Sequence, residues 1–125
     1  MVKLYGYARP VSVGPLQLPA DHTYVKGGGR KWGCFGGSSG GHEVCRGDGD
    51  VDQVNCRSHP RSSGYYAGLV YGVDGVCHQA ANRLLHGTGQ QVSGAEGYLA
   101  SFLTYGTYGK NTVEWAERRD RCANA

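Results

Sequence analysis

Five cysteines and five histidines are the residues of this 125-residue chain best equipped for chemistry. One cysteine stands apart by its setting. Cys77 lies in the run Asp74-Gly75-Val76-Cys77-His78-Gln79, followed by the apolar pairs Ala80-Ala81 and Leu84-Leu85 and by His86-Gly87. That pattern predicts a helix capped by Asp74 and stopped at Gly87, with Cys77 as the third residue after the cap. A thiol attacks as its thiolate, and the unpaired amides and dipole of a first helical turn favour negative charge there. The same amides can hold an oxyanion. Cys77 is therefore the candidate nucleophile of a small thiol hydrolase, with Asp74, His78 and Gln79 as support at the helix start. The plainer role also fits the spacing, because Cys77, Ala81 and Leu84 fall on one helical stripe, where a cysteine can serve as a small apolar residue.

A cysteine nucleophile needs a general base, usually a histidine brought to it by the fold. His22 is the candidate, within Ala20-Asp21-His22-Thr23-Tyr24-Val25-Lys26, a β-branched and aromatic run closed by three glycines. The run predicts a strand on which His22 and Tyr24 share one face while Thr23 and Val25 share the other. A strand histidine among tyrosines can equally be a half-buried ring with its bonds satisfied. His78 follows Cys77 directly and points about 100° away from it, and His86 lies about two and a half turns on. His42, His59 and Asp52 remain open as a third group orienting the base.

The other cysteines bear on the compartment. Cys34, Cys45 and Cys56 fall in Gly-rich and polar sequence, and with Cys122 they read as four candidates for two disulfides, Cys122 joining one of the other three and Cys77 left unpaired. An oxidising, extracytoplasmic location is expected; five reduced thiols in a cytosolic protein is the alternative. The opening Met1-Val2-Lys3-Leu4-Tyr5-Gly6-Tyr7 lacks the apolar core of a secretory signal, so export by another route is expected, either as part of a larger chain or by a dedicated machine. No window approaches a transmembrane span. The net charge of +3 is mild and scattered, which argues against nucleic acid as a partner.

The length suits one domain over residues 1–125, and 22 glycines predict much turn and curved strand. Residues 1–19 read as an extended arm or edge strand. Residues 30–35 read as a short strand pairing with the His22 strand, and residues 36–63 as a long loop insertion stapled by disulfides. The apolar run over residues 65–73 reads as a central strand leading into the Cys77 helix. A weaker helix, interrupted by Gly97, is expected over 95–103, then a loop or strand over 105–109, then a charged amphipathic helix over 112–122 carrying Trp115.

The order of a strand bearing His22 (Asp21-His22-Thr23-Tyr24-Val25), a further strand, and Gly75-Val76-Cys77-His78 opening a helix resembles the circularly permuted branch of the papain-like NlpC/P60 hydrolases, in which the histidine precedes the cysteine. The likeness spans residues 20–86. It implies an α+β, papain-like domain with an antiparallel sheet packed against the Cys helix, Cys77 as nucleophile and His22 as base. Members usually carry a third polar residue on the strand after the histidine. Here that strand reads Arg30-Lys31-Trp32-Gly33-Cys34-Phe35, with no His, Asn, Gln or acid, so the third role is unassigned. The resemblance implies hydrolysis of amide bonds in a peptide or cell-wall substrate. By analogy it extends to an antibacterial toxin with a cognate immunity or inhibitor protein.

No cofactor is expected. The run Asp48-Gly49-Asp50-Val51-Asp52 fails as a calcium loop, because Gln53 and His59 stand at the sixth and twelfth positions. The cysteines are spaced too evenly for a zinc site, which leaves no metal assigned. Gly27-Gly28-Gly29-Arg30-Lys31 is a hairpin turn rather than a phosphate loop. The rival function is a disulfide-stapled binding module without catalysis, its nine tyrosines forming a recognition surface.

Overall fold

The computed structural model describes residues 1–13, 15–34, 36–59 and 69–123. They form an α+β arrangement with a four-stranded antiparallel sheet of order β3-β2-β1-β4. The strands are β1 (Val2–Val13), β2 (Leu16–Gly27), β3 (Arg30–Trp32) and β4 (His42–Gly49). Four helices accompany them among the described residues: α1 (Val51–Ser58), α2 (Cys77–Leu84), α3 (Tyr98–Tyr108) and α4 (Thr112–Arg118).

The residues expected as an edge arm build an interior strand instead. β1 pairs with β2 along most of its length and with β4 on its other side. Pro10, which has no N–H to give a ladder, falls where the β1–β2 register shifts between Pro10 and Ser12, the irregularity at which a sheet tolerates proline. Gly6, midway along β1, is required by close approach. A Cβ there would stand 2.6 Å from Cys45 Sγ and 2.7 Å from Val92 Cγ1.

The alternation read from β2 holds. Val25 and Leu4 join the core with Ala81, Leu85, Val92 and Trp115, while His22 stacks on Tyr24 and Tyr24 meets Tyr7 on the other face.

The expected stapled loop over 36–63 is a correction. It contains β4 and α1, the latter capped by Asp50, whose Oδ1 accepts from Asp52 N at 2.8 Å. One disulfide forms, Cys56–Cys122, while Cys34, Cys45 and Cys77 are free thiols. Cys122 thus joins one of the three partners foreseen, but Cys34 and Cys45 do not pair. The sheet order explains this. Cys45 lies on β4 and Cys34 just past β3, at opposite edges of the sheet and about 14 Å apart at three strand spacings, whereas a disulfide needs Cα atoms within about 7 Å.

Of the strand expected over 65–73, residues 65–68 lie outside the described residues. Beyond them the chain turns, with Val73 N and Asp74 N both donating to Val70 O, and one isolated bridge joins Tyr71 to Gly75. Gly97, at φ 81°, precedes α3 rather than interrupting a helix. α3 then continues through the segment expected as loop or strand, because a lone helical glycine at Gly106 costs only about 1 kcal/mol. α4 starts where expected, under an Asn111 cap that accepts from Glu114 N, and ends at Arg118.

Candidate active site around Cys77

Cys77 is the first residue of α2, not the third after a cap. Asp74 does not cap this helix. Its Oδ2 accepts from Val70 N at 3.1 Å and pairs with Arg119 Nη1 at 3.4 Å, because the turn over 70–75 directs the carboxylate back onto its own loop. Val76 takes the cap position, and its N–H donates to Gln79 Oε1 at 3.0 Å, half of the reciprocal arrangement common at helix starts. Gln79 is fully buried, and its role is to close the helix end.

The helix start meets β2 at an open edge. Asp21 stands opposite Pro10, and its N–H and C=O both serve partners outside the sheet. The N–H donates to Glu96 O at 2.8 Å. The carbonyl lies 2.8 Å from His78 Nε2 and 3.9 Å from Cys77 Sγ. The Asp21 carboxylate adds a bond from Glu96 N at 2.8 Å. Asp21 therefore ties strand, Cys helix and the segment before α3 together. Sequence reading missed this role, since nothing in the local pattern distinguishes an aspartate in a strand from a surface one.

His78, expected as polar support at the helix start, is buried. Nε2 donates to the Asp21 carbonyl, which can only accept, and Nδ1 meets Ser101 Oγ at 2.9 Å. Burial lowers its pKa, opposed by the Asp21 carbonyl. Both nitrogens are engaged, so its work is to join α2 to β2 and α3.

His22 follows Asp21, and its ring turns to the face away from the core. Nε2 lies 2.6 Å from the Gly37 carbonyl, again an acceptor, so Nε2 carries a proton. Burial lowers the pKa of His22, nearby Arg9 reinforces that shift, and the Gly37 and Gly33 backbone carbonyls oppose it. The ring is thus tuned toward the neutral form a general base requires. The strand places His22 one residue from the carbonyl that Cys77 touches, with the imidazole bonded to Gly37.

The three candidates for an orienting group lie elsewhere. His42 opens β4 opposite Ala8, in the row that continues to Thr23, whereas His22 stands in the row of Arg9; alternation puts His42 on the other face. Asp52 and His59 sit at the two ends of α1, exposed, with His59 as its C-cap. The Gly37 carbonyl fills the orienting position instead, which no side-chain reading can find.

Two further groups border the thiol. Tyr71 is half-exposed, its phenol pKa raised by burial and by the nearby Cys77 and Tyr105. Cys34 is buried, its pKa raised by desolvation and by neighbouring Cys77. Its backbone sits at φ 51°, the left-handed region that a non-glycine residue seldom occupies. Among the described residues no group of three or more metal-binding side chains occurs, and no helix is long and apolar enough to cross a membrane. No family model, curated protein or solved structure matches the chain.

Proposed function

We propose that the chain is a thiol hydrolase of amide bonds, a papain-like domain of NlpC/P60 type with Cys77 as nucleophile and His22 as base. It acts outside the cytoplasm on cell-wall peptide as an antibacterial toxin, and its producer needs a cognate inhibitor. The observation that carries the reading is the contact of Cys77 Sγ with the Asp21 carbonyl, 56 positions away in the chain. It sets a helix-start thiol beside the strand position of His22.

In the proposed cycle the His22 ring leaves Gly37 and turns toward the strand edge, and its unprotonated nitrogen takes the thiol proton. Sγ attacks the amide carbon, the imidazolium protonates the leaving amine, and water hydrolyses the thioester. The test is expression with export to the periplasm, beside Cys77→Ala and His22→Ala, and digestion of purified peptidoglycan with fragments identified by mass. Lysis and new fragments that disappear in Cys77→Ala and fall 10²- to 10⁴-fold in His22→Ala support the reading. Equal growth and identical fragments in all three sink it.

A binding module is the second reading, favoured by α3. Its Leu99, Leu103 and Tyr108 are 69%, 65% and 85% exposed, and no charge falls between Tyr98 and Gly109. Thiol labelling separates the two. A single fast thiol at Cys77 supports the enzyme, and three equally slow thiols support the module.

A further inference from the structure

α3 is the helix that the fold leaves uncovered. None of its eleven residues is buried, whereas α2 buries seven of its eight. A helix shorter than about 12–15 residues is marginal in water on its own and takes most of its stability from a packed face. Gly106 and the β-branched Thr104 and Thr107 weaken the intrinsic preference of α3 further. One side rests on α2: Ser101 Oγ meets His78 Nδ1 at 2.9 Å, and Tyr98 Oη accepts from Asn82 Nδ2 at 3.0 Å. The other side, made of Leu99, Ala100, Leu103, Thr104, Thr107 and Tyr108, is exposed.

Charge narrows what can cover that side. It carries no charged residue, so it offers nothing to pair with an acidic or basic partner or a charged headgroup. The charge of the chain lies elsewhere. By register Lys3, Arg9, Lys26, Lys31 and Arg46 stand on the sheet face away from Leu4 and Val25, with Asp48 and Glu43 as the acids beside them. The rest of the chain holds as many acids as bases, so the net charge of +3 belongs to that outer face. α2, and α3 through it, pack on the opposite side, where Leu4 and Val25 meet Ala81 and Leu85. Two copies joined through α3 therefore bring no like charges together and hold their basic faces apart.

Shape and area fit a second copy. Leu99, Leu103 and Thr107 form one i, i+4 ridge, and Ala100, Thr104 and Tyr108 form the next. The small Ala100 and Thr104 leave a groove beside the leucines, and a two-fold axis seats the leucines of each copy in the groove of the other. The turn over 70–75 adjoins the end of α3, since a Cβ on Gly109 would stand 2.7 Å from Asp74 O. Its Val70, Tyr71 and Val73 are 46%, 53% and 64% exposed. Together with Leu99, Leu103 and Tyr108 they present apolar area on the order of 500 Å². A standard interface buries about 800 Å² per partner, of which about 56–65% is apolar.

We propose that the chain forms a two-fold dimer through the exposed side of α3, Leu99 and Leu103 of each copy packing against Ala100 and Thr104 of the other.

Sedimentation equilibrium of the full chain, with its disulfide intact, tests this over a series of concentrations. The wild type is expected to move from 13.4 kDa toward twice that mass. Leu103→Glu puts a carboxylate from each copy into the joint and is expected to weaken association about 30-fold or more. Mixing Leu103→Glu with Leu103→Lys is expected to restore it, which separates a lost interface from a misfolded variant. Lys31→Glu, on the outer sheet face, is expected to associate as the wild type does. Amide exchange over residues 98–108 is expected to slow as wild-type concentration rises and to stay fast in Leu103→Glu. A wild type that is monomeric at every concentration, a Leu103→Glu dimer as tight as the wild type, or a mixture that does not associate overturns the inference. A monomer that instead binds phosphatidylcholine vesicles through α3 also overturns it, and assigns the face to a lipid surface.

Discussion

At the scale of single residues, three free thiols differ in reach, and burial makes two of them harder to ionise. Cys34 is buried with a raised pKa, Cys45 is half-buried with its pKa also raised by burial, and Cys77 is half-buried at a helix start. Native alkylation is therefore expected first at Cys77, more slowly at Cys45 and last at Cys34, with all three labelling in denaturant and five after reduction; peptide mapping over time checks the order. His78 is a second case. Its removal strips a buried carbonyl and Ser101 Oγ of a partner, so His78→Ala is expected to destabilise by about 1–3 kcal/mol, measured by urea titration. That loss would accompany any drop in activity, whereas His22→Ala is expected to lower turnover more than stability.

Between elements, the decisive links hold the C-terminal part to α1. The Cys56–Cys122 bond closes 66 residues, and beside it Arg57 pairs with Asp120 at 2.8 Å, both side chains almost fully buried. In the chain-entropy description a loop of that length stabilises by about 4 kcal/mol, so reduction or Cys56→Ser is expected to lower stability by up to that amount. Asp120→Asn leaves a buried guanidinium without its counter-charge and is expected to cost about 3–5 kcal/mol. Calorimetry of the two variants and of the reduced wild type checks both values. Cleavage that fails in reducing conditions while Cys77 still labels would trace to this junction, since α1 also holds Trp32 through Asn55.

For the whole molecule, acid is the informative variable. His22, His78 and His86 all have pKa values lowered from an ordinary 6.5, in each case chiefly by burial. The unfolded chain takes up protons as pH falls through about 6.5 while the folded one resists. Stability is thus complete above that pH and declines below it until the folded rings themselves protonate. Melting temperature is expected to hold level from pH 8 to 7 and to fall between pH 6.5 and 5, with a shallower fall in His86→Gln; a flat profile would contradict the burial of these rings. At this scale the parts legible in the sequence are those governed by neighbours in the chain. The two-residue alternation of β2, the hairpin into β3, the presence of a helix carrying Cys77 and the start of the helix at Thr112 each follow from local spacing and backbone preference. The sequence by itself also marked Cys77 as a thiol kept out of disulfides. What only the tertiary structure decided depends on distant residues: β1 as an interior strand, α1 and β4 in place of a stapled loop, and Asp74 turned back to Val70 and Arg119. It also decided the pairing of Cys56 with Cys122, because sheet order sets how far apart Cys34 and Cys45 lie. The burial of His78 and the Gly37 carbonyl on His22 belong to the same class, because each is made by groups 15 or more positions apart whose meeting no local pattern encodes.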